Sequence, residues 1–249
     1  MVSGKYSALA GAISREQRLA NISTNLANIN TVGYKKSRMS FESLLRGEQQ
    51  TTTAKGINFS RVRENFTEFS EGVIKDTNNP LDLAIHKDGF FKVQSMDGFR
   101  YTRRGDFHVS QDGTLLTGND MPVLDEGNAP ITIPDSDTSK ISVNSLGEIS
   151  ILSLEGNREV VGTVAVYTIN DNTLLKRESD TLYSLKEGGQ EIINPEPQLS
   201  VGSLEISNVN MTEEMALMIE STRTFESYQK VIKAYSTLGQ KQDELGTIG

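Results

Sequence analysis

The 249 residues contain no cysteine and no tryptophan. Without cysteine there is no disulfide framework, no thiol nucleophile and no thiolate-held metal. The absence also fits a chain that crosses a reducing compartment and works beyond it. Hydrophobic residues reach only 36%, low for one compact globule and a sign of much solvated surface. No run approaches the roughly 18 apolar residues of a membrane span, so no direct membrane insertion is expected. The formal net charge is −8. Nucleic acid is therefore not an expected partner, because its non-specific binding needs clustered Lys and Arg to displace counterions. A cleaved export signal is not expected either, since Arg15, Glu16, Gln17 and Arg18 interrupt the apolar pattern a signal would need.

Catalytic patterns are equally scarce. The only histidines are His86 and His108, in or beside β-type stretches, where ordinary strand or surface positions are expected. There is no G-x-S-x-G elbow, no phosphate loop and no G-x-G-x-x-G. The Asp-Gly pairs lack the spaced acids of a calcium loop and read as hairpin turns. No catalytic residue, metal ligand or cofactor is assigned, and the chain is expected not to be an enzyme.

What is present lies at the two ends. From Tyr6 to Asn30 there is no proline and one glycine, Gly11. Ala8, Ala12, Leu19, Ile22, Leu26 and Ile29 fall at spacings that face one side of a helix, and Asn21, Asn25 and Asn28 fall on the polar side. The pattern stops at Asn30-Thr31-Val32-Gly33, where Gly33 can supply the positive φ of a helix end. From Met211 to Leu238 the design repeats. Met211, Met215, Met218, Phe225 and Ile232 form one apolar stripe, and Tyr228, Val231, Tyr235 and Leu238 form a second. A helix apolar over two stripes usually touches more than one partner. Asn210, with Glu213 three residues on, resembles a capping box.

The middle alternates short apolar stretches with turn signals: Leu81–Ile85, Phe90–Val93, Phe107–Val109, Thr114–Leu116 and Val164–Ile169. A polar stretch, Arg46–Lys55, reads as a linker or arm. The expected fold class is α+β. Long N- and C-terminal helices (1–35 with 208–249) form a coiled-coil-like core domain. Residues 36–75 form a linker or extended arm, and 76–207 an inserted antiparallel all-β domain. The assembly interface is expected at Leu19, Ile22, Leu26 and Ile29, facing Met215, Met218, Phe225, Ile232 and Tyr235.

One run is specific. Asn25-Leu26-Ala27-Asn28-Ile29-Asn30-Thr31-Val32-Gly33-Tyr34-Lys35 resembles the NNLANxxTxGFK signature of the flagellar rod and hook proteins. Its matching positions are Asn25, Leu26, Ala27, Asn28, Thr31, Gly33, Tyr34 and Lys35. It departs at Thr24, where the signature has Asn, and at Tyr34 in place of Phe. Asn79–Ile85 with Gly89–Val93, Tyr101–Phe107 with Asp112–Leu115, and Ser207–Asn210 with Glu214-Met215 and Arg223–Glu226 resemble further blocks of that family.

The resemblance implies an axial tube. Terminal helices of many copies line it, and β domains lie outside. It also implies contacts with other rod proteins, and uncleaved passage through the flagellar type III export apparatus to the periplasm-spanning basal body. Phe41 with Leu45 fits a short export-gate element of such substrates; a buried anchor pair is the plain alternative. The short Arg46–Gly72 stretch points to the proximal-rod members, with distal-rod members as the alternative. A secreted β-domain adhesin on a coiled-coil stalk is the competing class, and the helix–β–helix order opposes it.

Overall fold

The computed structural model describes residues 2–45, 58–134, 141–152 and 157–246. The chain is α+β, mostly β, with a long helix toward each end. It divides into two compact units. The first holds Met1–Ala27, Ser37–Phe66 and Asn210–Gly249; the second holds Asn28–Lys36 and Thr67–Val209.

In the first unit, helix α1 spans Val2–Ala27 and helix α2 spans Met211–Gly246. Hydroxyls are absorbed locally. Ser14 donates to the carbonyl of Ala10, and Thr24, Thr222, Thr224, Ser227 and Thr237 each donate to the carbonyl four residues back. Asn210 starts α2 as expected: its Oδ1 accepts from the N–H groups of Thr212 at 3.0 Å and Glu213 at 3.2 Å. Two donors that the helix itself cannot satisfy are thereby paired. Strands β1 (Ser37–Leu45) and β2 (Asn58–Thr67) form a two-stranded sheet. They bracket Arg46–Lys55, the stretch read as a linker, which lies outside the described residues.

The end of α1 differs from expectation. The helix stops at Ala27, and a turn closed by the Thr31 N–H on the Asn28 carbonyl follows. Gly33 has φ +69° but is no helix cap. A Cβ there would collide with the backbone of Arg103 and Arg104, and its N–H bonds to the Glu205 carbonyl at 2.8 Å. Close backbone approach is what demands glycine.

The second unit is built from short antiparallel pairs. Its largest sheet has six strands in the order β13–β14–β6–β5–β12–β15. These are Leu175–Arg177, Leu182–Leu185, Gly98–Thr102, Phe90–Ser95, Val166–Ile169 and Glu191–Ile193. A three-stranded sheet joins β9 (Ile141–Val143), β10 (Glu148–Leu152) and β11 (Arg158–Thr163). Three pairs complete it: β7 (Phe107–Val109) with β8 (Leu115–Thr117), β4 (Leu83–Ile85) with β16 (Leu199–Val201), and β3 (Ile74–Asp76) with β17 (Ser203–Glu205).

Strand β5 is buried on both faces. Phe91 belongs with Leu83, Phe107 and Ile149 in a buried apolar layer, where it meets Phe107 edge-on; Val93 is buried as well. Phe90 enters an aromatic layer with Tyr101, Tyr167 and Tyr183. Lys92, on that second face, is buried yet satisfied. Its ammonium sits 2.7 Å from Glu191 and over the rings of Phe99 and Tyr167 at 4.3 and 4.9 Å.

Asp97-Gly98 and Asp112-Gly113 lie at hairpins, β5–β6 and β7–β8, with Gly98 and Gly113 at positive φ. Asp88-Gly89 does not. It joins β4 to β5, which pair with different strands. The added Cβ at Gly89 would lie 2.6 Å from Val166, so this glycine serves close packing rather than a hairpin. His86 bridges Glu71 at 3.1 Å and the Ser200 hydroxyl at 2.8 Å; His108 lies 3.3 Å from Asp120. Both side chains are partly open to solvent.

Candidate assembly surface

The helices of the first unit run antiparallel in one register. A Cβ at Gly11 would lie 2.6 Å from the Tyr228 ring, and one at Gly4 would lie 2.7 Å from the Tyr235 hydroxyl. Asn25 Nδ2 donates to Glu214 Oε2 at 3.3 Å. Seven residues back along α1 match seven residues forward along α2, from Gly11–Tyr228 to Gly4–Tyr235. Fourteen residues the other way reach Asn25–Glu214. Glu214, Met218, Ser221, Phe225, Tyr228, Ile232 and Tyr235, all buried or half-buried, keep that rhythm along α2, with Leu217, Thr224 and Gly239 half-buried beside them. On α1 the positions Gly4, Ala8, Gly11, Arg15, Arg18, Ile22 and Asn25 are buried or half-buried in step with it; Ala12 and Ser14 are buried as well, outside that series.

Of the residues expected at the interface, Ile22 is buried, and Leu19, Leu26, Met218, Phe225, Ile232 and Tyr235 are half-buried. Met215 is exposed, as is Met211. Ile29 lies past the helix end, in the second unit. Counting apolar residues missed Glu214, Ser221 and Asn25 in the seam, all buried. The signal that could have found them is spacing, since Gly4 and Gly11, Tyr228 and Tyr235, and Glu214 and Ser221 are all seven apart.

Asn25 also serves the strand beside it. Its Oδ1 accepts from the Ser37 N–H, and its Nδ2 donates to the Ser37 carbonyl, both at 2.9 Å. Asn21 Nδ2 donates to the Ser37 hydroxyl at 2.9 Å.

A second face of α1 is uncovered by α2. Tyr6, Leu9 and Ile13 are 58%, 44% and 46% exposed. Tyr6 is two residues past Gly4, Ile13 two past Gly11 and Leu9 two before it. Each therefore points about 200° round the helix from its glycine. On α2, Met211, Met215 and Ile219 form another exposed stripe.

Of the remaining signature residues, Ala27 is exposed at the end of α1, Asn28 and Thr31 are half-buried, and Gly33, Tyr34 and Lys35 are buried in the second unit. The Tyr34 ring lies under the Arg177 guanidinium at 4.7 Å, and Arg177 also donates to the Lys35 carbonyl. Lys35 Nζ contacts Glu205 Oε1 at 2.6 Å and the Ser70 carbonyl at 2.7 Å. Arg103 reaches Glu205 Oε2 at 3.3 Å, and the Gly72 N–H donates to Oε1 at 2.8 Å. Burial holds the Lys35 ammonium below its usual range, and Glu205 opposes that shift. Phe41 and Leu45 fall on β1, but their side chains lie outside the described ones.

Family models match three stretches of the chain. Residues 6–35 match one described as flagella basal body rod protein. Residues 84–151 match the flagellar hook protein FlgE/F/G D1 domain, and 200–245 the flagellar basal body rod FlgEFG protein C-terminal. The flagellar basal-body rod protein FlgG of Bacillus subtilis is 33% identical, covering 93% of this chain and 94% of its own. The flagellar basal-body rod protein FlgF of Mesorhizobium japonicum is 29% identical over 98% and 97%. FlgF of Caulobacter vibrioides is 31% identical over 98% of each. The chain belongs to the flagellar basal-body rod protein family. Similarity alone does not separate the FlgF from the FlgG branch.

Proposed function

We propose that this protein is a structural subunit of the flagellar rod, the axial shaft through which motor torque passes, and that it has no catalytic role. The observation that carries the proposal is the two-sided apolar character of α1. One side meets α2, and the other presents Tyr6, Leu9 and Ile13 to solvent. A helix apolar on opposite faces lowers its free energy by being covered on both. In a polymer, neighbouring copies supply the second cover. A heterologous contact of this kind repeats without closing and builds a helical tube.

In this reading residues 1–35 with 208–249 form a coiled-coil-like core domain. Residues 36–75 form an arm, and 76–207 an antiparallel β domain in an outer layer. The assembly residues are Leu19, Ile22, Leu26, Ile29, Met215, Met218, Phe225, Ile232 and Tyr235. Partners are further copies, the other rod proteins and the type III export apparatus, which passes the subunit uncleaved to the periplasm-spanning basal body. Among the described residues no helix is long and apolar enough to cross a membrane. The short Arg46–Gly72 stretch favours the FlgF position in the proximal rod over FlgG in the distal rod. Full-length similarity to rod proteins leaves the adhesin alternative without support.

Leu9→Asp tests the proposal. It charges the outer face of α1 and leaves the seam with α2 alone. Cells carrying it should make the protein, lack structures distal to the rod and fail to swim. Complete rods and normal swimming would overturn the assembly role of this face. Electron cryomicroscopy of isolated basal bodies separates the proximal from the distal position.

A further inference from the structure

Three side chains from separate segments of the second unit form one hydrogen-bonded line. His86 follows β4, Ser200 is the middle residue of β16, and Glu71 precedes β3. His86 Nδ1 lies 3.1 Å from Glu71 Oε1, and its Nε2 lies 2.8 Å from the Ser200 hydroxyl. A carboxylate only accepts, so Nδ1 carries the imidazole proton. The neutral ring then has an unprotonated Nε2, which accepts from the Ser200 O–H. The hydroxyl therefore faces a base whose tautomer is set by a third group. Nucleophile, base and orienting carboxylate within hydrogen-bond reach are the arrangement that activates a serine oxygen.

The backbone sets His86 and Ser200 against each other. The His86 N–H donates to the Gln198 carbonyl at 2.9 Å, the Gly202 N–H donates to the Asp82 carbonyl at 2.8 Å, and Ser200 stands opposite Ala84. His86 and Ser200 are thus diagonal neighbours on one face of an antiparallel pair. Bonded pairs alternate along such a ladder, which commits the Ser200 N–H to Ala84. That N–H is not free to hold an oxyanion, the element that gives a triad its turnover. The line is open to small reagents, since the His86 and Glu71 side chains are 41% and 40% exposed.

We propose that Ser200 is an acyl-acceptor site. It takes an acyl group from a donor with a good leaving group, such as an aryl ester, a thioester or an acyl phosphate, and keeps it as an ester. Ser200 Oγ attacks the acyl carbon while its proton passes to His86 Nε2. The bond to the leaving group breaks, the leaving group takes the electron pair, and the proton on Nε2 follows it or goes to solvent. Glu71 accepts from Nδ1 throughout and is a positioning residue. The step is a covalent modification of the subunit without turnover, so it leaves the structural role intact.

The test uses the full chain, whose lack of cysteine leaves no thiol to compete. p-Nitrophenyl acetate is the donor, and peptide mass spectrometry follows acetylation at Ser200 over time. Alkaline hydroxylamine, which removes esters and leaves lysine amides, identifies the bond. The parent should acquire an ester at Ser200. His86→Gln should slow its formation by about 100-fold or more, the lower end of what a positioned base supplies. Glu71→Gln should slow it as well, because a carboxamide donates as readily as it accepts and no longer fixes the tautomer. His108→Gln, which removes the other histidine, should match the parent. Absence of the ester in the parent would overturn the proposal, and so would an unchanged rate in a folded His86→Gln. If His86→Gln does not fold, an unchanged rate in Glu71→Gln overturns it instead. Equally fast esterification of the exposed Ser179 would also overturn it, since Ser200 would then be no more reactive than a solvated hydroxyl. None of these outcomes depends on rod assembly.

Discussion

The ammonium of Lys35 lies 2.6 Å from the carboxylate of Glu205, and both side chains are shut off from water. Glu205 also receives Arg103 and the N–H of Gly72. It is the acceptor for two cations in the described network, so its removal should cost far more than removal of a surface acid. Glu205→Gln keeps the shape and deletes the charge. Breaking a buried pair on one side typically destabilises by about 3–5 kcal/mol. Denaturant unfolding followed by tyrosine fluorescence should show a loss of that order. A loss under about 1 kcal/mol, the usual ceiling for a surface pair, would show that the network is not stabilising.

Alkaline pH should weaken the second unit. Burial, with the Glu191 charge next, pushes the Tyr167 phenol up to about 12. Burial raises Tyr101 and Tyr183 as well; Tyr101 is further held protonated by its hydrogen bond to Glu191. Above pH 10.0, the ordinary tyrosine value, the unfolded chain releases these protons while the folded chain retains them. The folded state then binds more protons than the unfolded state, so stability falls with rising pH. The contribution is complete below the unfolded value and is lost as pH climbs toward about 12. Tyrosinate absorbance should stay below that of the urea-unfolded chain until unfolding releases it. Equal titration curves for folded and unfolded protein would refute this.

Two glycines within helices should respond in opposite directions. At Gly239 an added Cβ meets nothing within 4 Å. Gly239→Ala should therefore stabilise α2 by roughly 0.5–1 kcal/mol through propensity alone. At Gly11 the same atom is 2.6 Å from the Tyr228 ring. Gly11→Leu should force the helices apart, at a cost of about 1–3 kcal/mol for overpacking. Thermal melts monitored by circular dichroism separate the two signs, and a gain at both sites would mean that Gly11 does not carry the contact with Tyr228.

The helices were legible because local rules govern them. Unbroken periodicity marked α1 and α2, and Asn210 marked the start of α2 by the chemistry of its side chain. β7 was legible for the same reason, as a short apolar run closed by a turn. What escaped depends on partners distant in sequence. Glu214, Ser221 and Asn25 occupy seam positions that an apolar count assigns to solvent, because their burial is decided across the helix pair. Gly33 resembles a helix cap in sequence, yet its positive φ answers the nearby backbone of Arg103 and Arg104. Asp88-Gly89 has the letters of a hairpin turn, but its flanking strands pair elsewhere. The strand order of the six-stranded sheet, with β14 beside β6 and β12 beside β5, follows no sequential rule. It reflects which strands can bury Tyr101, Tyr167 and Tyr183 together.

The seam itself is tested at Ile22, 3% exposed and midway between Arg18 and Asn25 in the α1 pattern. Ile22→Asp puts a carboxylate where α2 packs. A buried, unpaired acid costs several kcal/mol or takes up a proton, so the helices should separate or fray while the second unit, with its own two cores, remains folded. Ser23→Asp, on an exposed position of the same turn, controls for charge alone. In the purified Ile22→Asp chain, helical circular dichroism should fall and protease should trim both terminal segments, leaving a fragment near 67–209. In cells, the defect recurs in every subunit of the proposed tube, so swimming should be lost in Ile22→Asp and kept in Ser23→Asp. If Ile22→Asp retains full helicity and resists trimming as the parent does, α1 and α2 do not depend on this seam.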